Sequence, residues 1–181
     1  DDIVVYVKDD TIESIAGGAN SISPNRDGRL TCFRRDNSGT NPPEWQTGTS
    51  TSDGQISMGS REHLGFYGLL ITGGFDIKTT DLLTTDARLA DVAVAFFLTG
   101  SAGRDLLWYQ VECRQMEMFI EVDGTQTATG VKAMTLIECQ AREMTFIIIY
   151  AMPRDSWFQS NKFELSHNAV SCRFPNMQRT L

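Results

Sequence analysis

The side chains able to do chemistry in this chain are few and scattered. Of 181 residues only His63 and His167 are imidazoles, and neither has a second ligand three or four positions away, as a zinc-binding helix would require. The four thiols Cys32, Cys113, Cys139 and Cys172 contain no Cys-x-x-Cys pair. No Gly-x-Ser-x-Gly elbow, phosphate-cradling Gly-x-x-x-x-Gly-Lys-Ser/Thr loop or Gly-x-Gly-x-x-Gly fingerprint occurs, so serine-hydrolase and nucleotide-binding chemistry lose their usual support. Carboxylates remain: Glu112, Glu117, Glu121, Glu138 and Glu143 crowd into residues 106–150. Two carboxyls held about 5–9 Å apart can share acid and base work on a glycosidic bond. Without a partner base or metal ligand, a solvated acidic sheet face is the simpler reading. No catalytic, metal-binding or cofactor-binding residue is assigned, and no cofactor is expected.

The elements that would carry these residues read as strands. Ile3 to Val7 and Leu30 to Phe33 are β-branched and aromatic, with Asn25-Arg26-Asp27-Gly28 as turn chemistry between them. Residues 36–55 turn to Ser, Thr, Asn, Gly and Pro around Trp45, which predicts a long loop covering a neighbour or a ligand, with Trp45 as its contact residue. Residues 64–72 are strand-like and end at Gly73-Gly74. A helix is expected over about 85–98, with Thr84 or Thr85 as its cap, Leu89, Val92, Ala93, Phe96 and Phe97 at helical spacing, and Gly100 behind it. A buried strand over 92–98 is the competing reading.

Between 106 and 150 the pattern is the most informative. Leu107, Tyr109, Val111 and Cys113 alternate with polar residues, then the apolar phase moves to Met116, Met118, Ile120 and Val122, as a bulge near Arg114-Gln115 would produce. Asp123-Gly124 opens a polar connection before residues 131–150 repeat the strand character, so a long β-hairpin over about 106–150 is the expected architecture. Ala133, Met134, Ile137, Ala141 and Met144 also suit a helix, which would void that pairing. In the hairpin Cys113 lies almost opposite Cys139. A cross-strand disulfide is then conceivable, though two buried free thiols fit better. Val111-Glu112-Cys113 and Glu117-Met118 recur at one constant offset as Ile137-Glu138-Cys139 and Glu143-Met144, by chance or as an internal repeat. The resulting fold class is mainly β, an antiparallel sandwich or barrel with one helix, in one domain over 1–181 with extended termini.

Bulk properties narrow the partners. Sixteen basic and twenty-three acidic residues give a net charge of −7, which repels phosphate backbones and argues against tight nucleic-acid binding. The longest apolar runs, Val92 to Leu98 and Phe146 to Met152, are far short of the roughly 20 residues that a membrane helix needs. The opening Asp-Asp-Ile-Val-Val-Tyr-Val has neither an initiator Met nor a signal pattern, which suits a processed chain or a removed tag equally.

The order of strands, long loop, helix and long strand pair over 64–152 resembles the tail-tube proteins of phages and the related tube proteins of secretion systems. That resemblance implies a homo-oligomer, a hexameric ring whose hairpins close an acidic lumen, with Glu112, Glu117, Glu138 and Glu143 on the assembly or lumen surface and other particle proteins as neighbours. Capsid and decoration subunits fit the same features. The expectation is therefore a non-enzymatic, self-assembling structural subunit of a virion or extracellular particle. The alternative is a secreted β-sandwich module that binds carbohydrate or peptide through Trp45 or Trp157.

Overall fold

The computed structural model describes residues 2–14, 18–21, 29–47, 54–59, 62–73, 94–98, 104–114, 118–122, 131–144, 147–150, 153–165 and 178–180. Along them the chain repeats one motif of three short strands. The first coil holds β1 (Ile3–Val7), β2 (Ile12–Ser14) and β3 (Gly18–Ser21); the second β4 (Thr31–Arg35), β5 (Glu44–Gln46) and β6 (Gly54–Gly59). The third holds β7 (Glu62–Tyr67), β8 (Leu70–Thr72) and β9 (Val94–Leu98); the fourth β10 (Arg104–Tyr109), β11 (Glu112–Arg114) and β12 (Met118–Val122). Then come β13 (Val131–Ile137), β14 (Gln140–Met144) and β15 (Ile147–Tyr150), followed by β16 (Pro153–Gln159), β17 (Lys162–Leu165) and β18 (Gln178–Thr180).

Strands pair with their counterparts in the neighbouring coils, and every described pairing is parallel. The result is three sheets: seven strands in order β1-β4-β7-β10-β13-β16-β18 (sheet A), six in order β17-β14-β11-β8-β5-β2 (sheet B), and five in order β15-β12-β9-β6-β3 (sheet C). This is a parallel β-solenoid, in which each coil contacts only the coils above and below it.

Left-handed residues turn the chain between sheets. Gly68, Gln110, Glu138 and Ser160 have φ of 65°, 53°, 54° and 54°, and stack where sheet A passes to sheet B. His63, Asp105, Ala133 and Asp155 repeat the conformation near the start of their sheet A strands, with φ of 56°, 53°, 52° and 49°. Single residues in this region bend a strand sharply, at a cost that only glycine escapes.

Between the two turns the side chains alternate in and out. Leu64, Leu106 and Met134 form one fully buried file and Phe66, Trp108 and Leu136 a second. The second file is extended by Phe33, whose ring stacks on Phe66 at 5.7 Å, as Phe66 does on Trp108 at 6.0 Å. On sheet B, Ile71, Cys113 and Ala141 are buried in register, with Trp45 and Phe163 packed against the same core. Phe96 and Ile120, paired on sheet C, are buried as well.

Several expectations are corrected by this topology. The fold is mainly β, but it is parallel rather than an antiparallel sandwich or barrel. No long hairpin spans 106–150: β10 pairs with β13 and β11 with β14 in parallel, one coil further along the stack. Within the expected helix at 85–98, the described residues form β9, a strand that buries Phe96; residues 85–93 lie outside the described ones. The 36–55 stretch contains β5 and the start of β6. The slip expected near Arg114-Gln115 runs into residues 115–117, outside the described ones; a separate change of phase falls at Gln110, where the chain turns, with Leu106 and Trp108 inward before it and Val111 and Cys113 after it. Leu107 and Tyr109, grouped by sequence with Val111 and Cys113, belong to the opposite face.

Candidate functional site

Of the four predicted surface glutamates, the side chains of Glu112 and Glu138 are described. Glu112 lies on the outer face of sheet B, where its Oε1 accepts a 2.7 Å hydrogen bond from Arg114 Nε and sits 3.4 Å from Arg142 Nε. Glu138 occupies the turn file, and its Oε2 accepts from Gln110 Nε2 at 2.7 Å. Glu143 is carried by β14, and Glu117 lies outside the described residues. The two placed carboxylates border an open groove of about 430 Å³ lined by Gln110, Glu112, Glu138, Gln140, Ser160 and Lys162. It is a polar furrow in which both carboxylates already have basic or amide partners.

Cys113 and Cys139 are not a cross-strand pair. Cys113 has Ile71 and Ala141 as its Cα partners, not Cys139. Cys32, Cys113 and Cys139 are buried free thiols; Cys172 lies outside the described residues. Burial pushes the Cys113 thiol well up and the Cys139 thiol up to about 12, and Cys139 Sγ donates to the Trp108 carbonyl at 3.3 Å. These are packing groups rather than nucleophiles.

Trp45 sits on β5, half-buried, with its ring edge-on to Phe33 at 5.9 Å. It is a core residue at the sheet border. His63 Nδ1 stands 3.0 Å from Asp105 Oδ2 across the turn file, and His167 lies outside the described residues. No group of three His, Cys, Asp or Glu among the described residues is placed to hold a metal.

Two surfaces stand out that residue-by-residue reading missed. The first is the open edge of the stack at β1, which has β4 on one side and no described strand on the other. Ile3, Val4, Val5 and Tyr6 are 40%, 47%, 39% and 65% exposed there, and Ile12 on β2 is 64% exposed. Ile3 and Val5 are in register with the inward residues Thr31 and Phe33, so two inward files reach this exposed strand. The apolar run was visible in sequence; its place at an edge required the topology. The second surface is the outer face of sheet A, where the rings of Tyr67 and Tyr109 meet at 5.6 Å and Trp157 is 46% exposed.

Beside β1, three aspartates lace the first corner. Asp9, with a fully buried side chain, takes a two-point contact from Arg35 at 3.1 and 2.7 Å and accepts from Gly39 N. Asp10 accepts from the Thr40 and Asn41 amides and from Asn41 Nδ2. Asp36 accepts from the Asp9 and Ser38 amides and from Ser38 Oγ. Backbone amides aimed at the carboxylates hold Asp10 and Asp36 below the usual carboxylate range.

No protein-family model, curated protein or solved structure matches the chain.

Proposed function

We propose that this protein is a non-enzymatic structural subunit that self-assembles as part of a particle, a virion or an extracellular assembly. The observation that carries the reading is the open apolar edge at β1. A strand of Ile, Val and Tyr with no described strand on its outer side is a template for pairing with a further segment of chain. Here the first corner is rigidly laced by Asp9, Asp10 and Asp36 while the strand beside it stays apolar and exposed. The ring route read from sequence required a hairpin at 106–150. With those strands in parallel coils, assembly is proposed through the exposed apolar side chains of β1 instead. Light scattering across a concentration series tests the proposal: mass above 20.2 kDa that rises with concentration supports it, and a monomer at every concentration overturns it.

A second reading, carbohydrate binding, rests on the outer face of sheet A, where exposed Trp157 and the Tyr67–Tyr109 pair offer ring surface for sugar C–H faces. It predicts quenching of tryptophan fluorescence by oligosaccharides that Trp157→Ala abolishes; no saccharide response in the wild type would remove it.

A further inference from the structure

The groove that holds Glu112 and Glu138 runs along the corner where sheet A passes to sheet B, and two files of side chains line it. One is the turn file of Gln110, Glu138 and Ser160, one residue per coil. The other is the first outward file of sheet B, in which Glu112, Gln140 and Lys162 are in register. With strands about 4.8 Å apart, these levels span about 10 Å. The volume of about 430 Å³ lies within the range of small-molecule sites, about 300–1,000 Å³. Across the turn, the neighbouring outward position of sheet A holds Tyr67 and Tyr109, whose rings meet at 5.6 Å. Further along the same file, Gln159 Oε1 accepts from Trp157 Nε1 at 3.1 Å, so the aromatic face of sheet A adjoins the groove.

The polar groups of the groove are fixed by neighbours and only partly spent. Glu138 uses Oε2 on Gln110, and Glu112 uses Oε1 on Arg114 and Arg142. Glu138 Oε1 and Glu112 Oε2 have no hydrogen-bond partner among the described residues. Gln140 is anchored through Oε1 by Arg142 Nη2, which leaves its own amide N–H groups as donors. Groups held in this way lose little freedom on binding. The main chain, by contrast, is already committed. The amides of Gln110, Glu138, Gln140 and Lys162 donate to the carbonyls of Ile137, Gln159, Val111 and Cys139 in adjacent coils. A peptide that binds by adding a strand finds no ladder here.

We propose that this groove binds an uncharged oligosaccharide. The inference rests on the carbohydrate reading and adds to its aromatic face the hydrogen-bonding half of the site. A sugar hydroxyl both donates and accepts, as the mixture of carboxylate oxygens, amide N–H groups and the Ser160 hydroxyl requires. Its C–H face suits the Tyr67 and Tyr109 rings. Among the lining residues two carboxylates stand against the ammonium of Lys162, and Arg114 and Arg142 turn their Nε atoms to Glu112. That balance, in a chain of net charge −7, disfavours phosphorylated and uronic ligands.

Isothermal titration of the full chain tests the assignment, with neutral oligosaccharides of the cello, malto, manno and N-acetylchito series and with oligogalacturonate as the charged counterpart. At least one neutral series should bind. Glu138→Ala should weaken that binding at least about tenfold and Gln140→Ala about threefold, the scales of a charge-assisted and a neutral hydrogen bond. Unchanged far-ultraviolet circular dichroism checks that each variant folds. Tighter binding of oligogalacturonate would overturn the uncharged class. Neutral binding that Trp157→Ala abolishes but both groove variants leave intact would overturn the groove and keep the carbohydrate reading. Absence of binding by every oligosaccharide removes both.

Discussion

At the residue scale, the turn between sheets A and B sets one position under two different demands. Gly68 adopts φ 65°, and a Cβ built there would come within 2.5 Å of Arg35 Cδ and 2.9 Å of its Cγ. Arg35 is held by Asp9 and has little freedom to retreat. Gly68→Ala should therefore destabilise the fold by about 1–3 kcal/mol, from left-handed strain plus the clash. Ser160 holds the same conformation with a side chain at φ 54°, so Ser160→Gly should be neutral or stabilising by up to about 1 kcal/mol once the entropy of glycine is set against the relieved strain. Denaturant titration of both variants measures the pair. The buried thiols make a second residue-scale prediction. With Cys113 and Cys139 held protonated by burial, alkylation of the native protein at mildly alkaline pH should leave both unmodified until the chain is unfolded, as peptide mass mapping can read.

At the scale of elements, the first corner is predicted to be acid-labile. Asp10 and Asp36 have folded pKa values below their ordinary 3.8. Their contribution is therefore complete above the unfolded value and disappears as pH falls through the folded one. Asp10→Asn should lower the melting temperature at neutral pH, and the gap to wild type should shrink as the pH drops below 3.8. A gap independent of pH would show that the Asp10 charge contributes nothing. Strand existence was largely legible at this scale: β1 coincides with the β-branched run at Ile3 to Val7, and β4, β7 and β8 fall where apolar stretches predicted them. Pairing was not. Val111-Glu112-Cys113 and Ile137-Glu138-Cys139 look like copies, which would align Cys113 with Cys139. The ladder instead stacks Val111 on Cys139 and Cys113 on Ala141, so the repeated letters sit out of register with the coils. The coils also differ in length. Thr135 pairs with Trp157 but Leu64 with Leu106, an interval nearly twice as long, which erases a fixed period. A left-handed turn at Gln110 changes which residues face inward, and the alternation of Leu107, Tyr109, Val111 and Cys113 runs straight across it, so alternation alone did not show the turn.

For the whole molecule, a parallel solenoid divides its surface into sides, where the ladder is satisfied, and ends, where it is not. On one side, parallel stacking sets Glu112 and Glu138 along one polar groove and gives each a local partner. β1 has no described strand on its outer side and exposes Ile3, Val4, Val5 and Tyr6, and assembly through it is the central claim. Amide hydrogen exchange resolved along β1 is its most direct test. The amides of Ile3, Val5 and Val7 face β4 and should be slow at any concentration. Those of Val4 and Tyr6 should exchange rapidly in dilute protein and become protected as concentration rises. Rapid exchange of Val4 and Tyr6 at every concentration would contradict the account.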